Sequence, residues 1–175
     1  MVKRLNYEDS CRKLQESGYL EKGKTPPIPA HLPQYDDEEL GFDLFRTFVE
    51  GEDFSNLCLP RTYFGRSEVK DTSFANTDLS ESNLCWNDFL GVDFKGANLS
   101  GSDMRASIFS GVSFNKADLS GTDLRHSTFE DCSFKGANLT GATAAIEQKT
   151  MLSISHKQSS SMNWLEDSGP EPDGG

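Results

Sequence analysis

The octapeptide "FKGANLSG" (residues 94–101) recurs as "FNKADLSG" (114–121) and again as "FKGANLTG" (134–141). Self-similarity at a fixed period of about 20 to 50 residues is typical of solenoid proteins. A shorter period lies inside this one, because a large apolar residue stands at every fifth position from Phe54 to Leu139. A step of five residues turns about 140° on a helix and changes face on a strand, so neither continuous element explains the pattern.

A square coil explains both periods. If each pentapeptide makes a short extended piece followed by a corner, its large residue points inward and four corners close one coil. The large residues then stack in four ladders: Phe54, Phe74, Phe94, Phe114 and Phe134; Leu59, Leu79, Leu99, Leu119 and Leu139; Phe64, Leu84, Met104 and Leu124; Val69, Phe89, Phe109 and Phe129. The residue two positions before each is small from Thr62 to Ala137, with Asn87 as the exception. Glycine, which tolerates positive φ, is common two positions after the large residue and predicts turns there: Gly91, Gly96, Gly101, Gly111, Gly121, Gly136 and Gly141.

Three pentapeptides carry a family signature: "ANLSG" (97–101), "ADLSG" (117–121) and "ANLTG" (137–141). In these segments the chain resembles the pentapeptide-repeat proteins, whose signature is A-D/N-L-x-x. The resemblance implies an all-β solenoid, a right-handed four-sided (quadrilateral) β-helix. About 4.5 coils at ~4.8 Å each would make a rod ~22 Å long.

The segments that flank the repeats predict three regions. Residues 1–39 form an N-terminal extension, with a short helix at 6–17 and a Pro-rich connector at 25–33; the helix packs against the rod or serves as a handle for a partner. Residues 40–144 form the β-helix with an irregular first coil. Residues 145–175 form a C-terminal cap with a short helix, followed from residue 156 by a polar segment whose composition predicts disorder.

Composition restricts the class of protein. Against 28 acidic residues the chain has 17 basic ones, a net charge of −11, which argues against direct nucleic-acid binding because such binding neutralises phosphates with Lys and Arg. No apolar run is long enough for a membrane span, and the charged start lacks the apolar middle of a signal peptide. Four cysteines without Cys-x-x-Cys spacing predict reduced thiols in a bacterial cytoplasmic protein: Cys11, Cys58, Cys85 and Cys132.

No motif predicts an enzyme, a cofactor or a metal site. "GYLEKGKT" (18–25) matches the phosphate-loop pattern, but a charged helical stretch precedes it and Pro26 and Pro27 follow it. A phosphate loop needs a buried strand before it and a helix after it, and proline hinders that helix. The regularly spaced aspartates point to solvent, whereas carboxylate catalysis needs a pocket that perturbs pKa values.

Two outward surfaces are candidate binding sites. The first, called the ridge here, follows the third ladder and is rich in residue types typical of binding hot spots: Arg66, Trp86, Arg105, Arg125 and His126. The alternative reading is that these long side chains only cover neighbouring rungs. The second, called the acidic face here, follows the fourth ladder and places apolar residues among carboxylates: Glu68, Asp88, Leu90, Ile108, Glu130 and Asp131.

Two functions fit these observations. The sequence favours a non-catalytic, rigid protein-binding module, such as a bacterial immunity or accessory factor whose partner is DNA gyrase or a toxin. The alternative comes from the resemblance: some pentapeptide-repeat proteins are acidic DNA mimics that protect type II topoisomerases such as DNA gyrase from drugs or toxins. From Glu50 to Ala144 the chain has 14 acidic and 8 basic residues, which gives a net charge of −6. This is less than half the ~13 negative charges of an equally long DNA duplex. A homodimer through the C-terminal end would lengthen so short a rod.

Overall fold

The computed structural model describes residues 3–24 and 42–166, so the Pro-rich connector lies outside the described residues. Helix α1 (Tyr7–Glu16) comes first in the chain. Six short strands follow: β1 (Phe48–Glu50), β2 (Glu68–Lys70), β3 (Asp88–Leu90), β4 (Ile108–Ser110), β5 (Thr128–Glu130) and β6 (Thr143–Ala145). A 3₁₀-helix (Ile146–Thr150), helix α2 (His156–Ser160) and strand β7 (Asn163–Leu165) end the described chain.

Strand pairing confirms the predicted right-handed four-sided β-helix. Strands β1 to β5 form one parallel sheet in which each residue pairs with the residue 20 positions later, as Val69 does with Phe89. Isolated parallel bridges with the same spacing line the other sides, for example Asp53 with Ser73 and Asp78 with Asn98. Each coil therefore has 20 residues.

The coil number predicted from the sequence is too low. The structure has about six turns, not 4.5. The first bridge joins Asp43 to Tyr63, so residues 42–51 already form part of a regular coil. At the other end Thr143 pairs with Asn163, because the chain after residue 144 keeps the 20-residue register.

The interior confirms the inward direction of the four ladders. All 18 predicted large residues are buried. The phenylalanine rings stack from coil to coil: the centroids of Phe89 and Phe109 are 5.1 Å apart at an interplanar angle of 3°, and those of Phe94 and Phe114 are 5.5 Å apart at 9°. Burying one such side chain contributes roughly 1.5–3 kcal/mol, so the stacked core stabilises the rod.

Helix α1 packs against the N-terminal end of the rod. Its Tyr7, Cys11 and Leu14 are buried. The Ser10 side chain also binds the exposed edge, since the backbone N–H of Cys58 donates to its Oγ at 2.8 Å. Unpaired backbone at a sheet edge invites association, and α1 covers part of that edge.

The C-terminal segment corrects an expectation of disorder. Residues 156–165 form α2 and β7, and Met162 is buried. Two glutamines ten residues apart close the last coil: Gln148 Nε2 donates to the carbonyls of Leu124 (2.7 Å) and Ser127 (2.8 Å), and Gln158 Nε2 donates to those of Phe134 (2.8 Å) and Ala137 (3.0 Å). Composition alone predicted disorder because it ignores these capping contacts.

Candidate functional site

The corners of the coil carry part of the ridge. The seven glycines predicted to have positive φ do so, with values from +62° to +71°. Trp86 (φ 58°) and His126 (φ 62°) occupy equivalent corner positions in the third ladder, a conformation that few non-glycine residues adopt. The 20-residue register therefore stacks the ridge residues in columns one coil apart.

Two ridge arginines are neutralised by neighbouring aspartates. Arg105 Nη2 lies 2.6 Å from Asp103 Oδ2, and its Nε donates to Asp103 Oδ1 at 2.8 Å. Arg125 Nη2 lies 2.6 Å from Asp123 Oδ2. Such forked pairs are the strong form of the salt bridge, and Arg105 is also 3.7 Å from Asp123. The central part of the ridge is thus an ion-pair ladder rather than a basic patch.

The electrostatics of this ladder follow from burial and pairing. Asp103 is only 3% exposed. Burial opposes its ionisation, but hydrogen bonds from Arg105 and Cys85, together with the charge of Arg105, outweigh burial and hold the pKa of Asp103 below its ordinary value. The hydrogen bond with Asp123 raises the pKa of Arg125. The regularly spaced aspartates were expected to point to solvent, but Asp103 is buried and Asp123 is half-buried. The signal for both pairs was present in "DMR" (103–105) and "DLR" (123–125), where each aspartate stands two residues before its arginine.

The other three ridge residues differ in exposure. Arg66 is exposed at one end, Trp86 and His126 are half-buried, and Ala106 lies between these two. The structure therefore brings the five predicted residues into one region of the rod. It does not make that region strongly cationic.

The acidic face lies on the five-stranded sheet. Glu68 pairs in register with Asp88, and Asp88 pairs with Ile108, so these three side chains are neighbours on successive coils. Ile108 is 48% exposed and Leu90 is half-buried. The four carboxylates of the face are exposed, and none makes an ion pair with any residue in 3–24 or 42–166: Glu68, Asp88, Glu130 and Asp131.

Neither a metal-binding cluster nor an activated thiol is found among the described residues. Within residues 3–24 and 42–166, no group of three or more His, Cys, Asp or Glu side chains lies close enough to hold a metal ion. Burial raises the pKa of all four thiols, which disfavours the reactive thiolate: Cys11, Cys58, Cys85 and Cys132. Over the same residues, no helix is both long and apolar enough to span a bilayer.

The repeat region resembles known proteins in sequence and in structure. Residues 70–105 and 107–143 match the family model for pentapeptide repeats in 8 copies. The structure of HetL, a pentapeptide repeat protein involved in heterocyst differentiation regulation in the cyanobacterium Nostoc sp. strain PCC 7120, is 18% identical, with a TM-score of 0.54 over 57% of this chain and 48% of HetL. The chain thus spans about half the length of HetL, and the likeness shows the fold alone.

Two further solved structures match less closely in shape. A pentapeptide repeat protein from the Arabidopsis thaliana thylakoid lumen is 29% identical over 63% of this chain and 70% of its own, with a TM-score of 0.33. QnrB1, a plasmid-mediated fluoroquinolone resistance protein, is 14% identical over 71% of this chain and 84% of its own, also with a TM-score of 0.33. No curated protein sequence matches this chain significantly.

Proposed function

We propose that the protein, in which residues 70–105 and 107–143 match the family model for pentapeptide repeats, is a non-catalytic, rigid protein-binding module. Its acidic face binds a basic surface of a protein partner. One observation carries this proposal: Ile108, 48% exposed, lies beside Asp88, one of four exposed carboxylates that have no ion-pair partner among the described residues.

The geometry of the acidic face suits recognition of a flat protein surface. Successive coils place outward side chains about 4.8 Å apart, and the stacked core beneath holds them in position. Burial of Ile108 and Leu90 against a partner would supply apolar contact area. The surrounding carboxylates would favour approach of a basic partner and disfavour an acidic one.

The ridge is the weaker of the two candidate surfaces. Arg105 and Arg125 already bind Asp103 and Asp123, so an acidic partner would have to compete with these pairs. Breaking a partly buried pair leaves a carboxylate without its donor, which costs free energy. Arg66 and Trp86 alone offer a smaller contact region.

A capture experiment with matched variants tests this proposal. The immobilised protein is incubated with bacterial lysate, and captured proteins are quantified for wild type, Asp88→Lys with Glu130→Lys, and Arg66→Ala with Trp86→Ala. A partner that binds the acidic face is lost with the first variant and retained with the second, while both variants keep the wild-type melting temperature. Capture that survives the lysine pair but is abolished by the ridge pair would overturn the assignment of the face.

A second candidate function uses the same surface. Carboxylates on adjacent rungs, such as Glu68 and Asp88, are compatible with an acidic mimic of DNA that protects a type II topoisomerase. Purified DNA gyrase in a supercoiling assay with a fluoroquinolone tests this function. Protection that disappears with Asp88→Lys and Glu130→Lys supports it, whereas absence of any protection leaves only the general binding module.

We also propose a homodimer that forms through the C-terminal end of the rod. Three apolar side chains of the cap and of β7 are exposed: Ile146 (45%), Met151 (44%) and Leu165 (39%). Exposed apolar residues at one end of a rod favour end-to-end association. Sedimentation velocity of wild type and of Ile146→Asp with Leu165→Asp tests it, because a dimer should dissociate in the variant and a monomer should show no change.

A further inference from the structure

Four lysines form a line along the side of the rod that contains the first phenylalanine ladder. Lys95, Lys116 and Lys135 follow Phe94, Phe114 and Phe134 on successive coils, and Lys157 lies on α2 beyond them; all four are exposed. None makes an ion pair with a described residue, in contrast to Lys70, which lies 2.9 Å from Glu50. At about 4.8 Å per coil, the line is about 15 Å long.

The C-terminal end of this line, Lys135 and Lys157, lies in a groove. The groove has a volume of about 770 Å³ and lies between residues 132–140 of the last regular coil and the segment that carries α2. Among the described residues that line it, Lys135 and Lys157 are the charged ones, and none is acidic. This positive groove stands out on a chain whose net charge is −11.

Backbone donors in the groove lack their usual acceptors. One coil below, the N–H groups of Phe114, Lys116 and Leu119 donate to the carbonyls of Ser133, Lys135 and Asn138.

The equivalent N–H groups of Phe134, Gly136 and Leu139 have no acceptor within residues 3–24 and 42–166. Phe134 and Leu139 are buried, whereas Gly136 is exposed, so its N–H is the donor that a ligand reaches first. An unpaired sheet edge is a template for an added strand.

We propose that this groove binds an acidic, extended peptide segment of a protein partner. The inference rests on the proposed function as a binding module, but it uses a surface separate from the acidic face. Peptide carbonyls would accept from the open backbone edge, as in strand addition, and acidic side chains would pair with Lys135 and Lys157. The groove therefore recognises both the backbone carbonyls and the negative charge of the peptide.

A nucleic acid fits these observations less well. Its phosphates would meet the lysines, but a strand longer than the groove would also meet the carboxylates that give the protein its net charge of −11. Affinity for nucleic acid depends on how many phosphates are neutralised, and four lysines neutralise few. The open N–H edge also matches the repeating carbonyls of a polypeptide.

Fluorescence anisotropy with the full-length chain tests the proposal. The probe is a labelled eight-residue peptide of alternating glutamate and valine, compared with its lysine–valine counterpart and an eight-nucleotide thymidine strand. We expect the acidic peptide to bind and Lys135→Glu with Lys157→Glu to weaken it about tenfold or more. The matched control, Lys3→Glu with Lys22→Glu at the opposite end of the protein, has the same charge change and should stay within about twofold of wild type.

Other readouts separate this site from the alternatives. Binding should slow hydrogen exchange at the Gly136 amide, and it should persist in the Asp88→Lys, Glu130→Lys variant, so loss of either site is distinguishable from loss of the other. Equal weakening by the control pair would show bulk charge only and overturn the proposal, as would absence of binding or tighter binding of the oligonucleotide. Neutralising Asp167, Glu171 and Asp173 tests the chain's own acidic end as occupant. Tenfold tighter peptide binding by that variant would overturn the assignment to a partner.

Discussion

The side chain of Asn87 donates a hydrogen bond of 2.9 Å from Nδ2 to the main-chain carbonyl of Phe64, one coil below. Its Oδ1 accepts from the backbone N–H of Ser67 at 2.9 Å, and the residue is only 2% exposed. Serine has the same role in the coils above, where the Oγ of Ser107 donates to Leu84 at 2.6 Å. Asn87, the one exception among the small inner residues, therefore belongs to a ladder of polar side chains, and its amide group is fully hydrogen-bonded on both sides.

Replacement of Asn87 by alanine should destabilise the protein. It leaves the Ser67 N–H and the Phe64 carbonyl without their partner, and an unsatisfied buried group costs about 1–3 kcal/mol. Asn87→Ser, which restores the residue type of the ladder, should lose less. Urea denaturation measures both free energies of unfolding, and equal stability of the alanine variant and wild type would contradict the role assigned to this amide.

Phe114→Asp should unfold the rod. Phe114 is 0% exposed and stacks between Phe94 and Phe134, so the substitution buries a charge without a partner at a cost of several kcal/mol. The matched control is Lys116→Asp, at an exposed corner whose φ of 59° aspartate tolerates. Circular dichroism melting should show loss of the transition for the first variant only.

Truncation should distinguish the C-terminal cap from the residues after it. A chain that ends at Ser155 loses buried Met162, the half-buried Trp164 and the two hydrogen bonds from Gln158, which together stabilise by about 3 kcal/mol or more. A chain that ends at Glu166 retains every one of these contacts. Its melting temperature should match that of the full chain, while that of the shorter chain should fall; a similar melting temperature for both truncations would show that α2 and β7 contribute little.

Acid should weaken the Asp103–Arg105 pair. Because the folded-state pKa of Asp103 lies below its ordinary value of 3.8, the stability from its ionisation is present above pH 3.8 and is lost as the pH falls below that value. Asp103→Asn should therefore be less stable than wild type at neutral pH, and this difference should shrink on acidification. Arg105→Gln removes the side-chain donors that oppose the effect of burial, so the loss of stability on acidification should shrink or reverse in this variant. Melting curves between pH 7 and 3 measure it, and a constant difference at every pH would exclude the ion pair as its source.

The sequence by itself determined the architecture of the repeat region. A large residue every fifth position and an echo every 20 residues are compatible with a square coil but with neither a continuous helix nor a continuous strand. Each coil contacts mainly its neighbours, so the local sequence pattern is enough to predict the fold of the whole repeat region. For this reason the inward ladders were predictable, and so were the corners at which residues such as Gly91 and Gly136 have positive φ.

Only the tertiary structure decided the ends of the rod and the character of its surfaces. The caps depend on single contacts between segments distant in sequence, such as Gln158 with Phe134 and Ser10 with Cys58. The five-residue period does not predict these contacts. Surface charge depends on which side chains pair: Arg105 and Arg125 are neutralised by Asp103 and Asp123, whereas Lys135 and Lys157 line a groove without carboxylates. Buried positions repeat because the core must be filled in every coil, but outward positions are constrained only by their neighbours, so distances in space decide their chemistry.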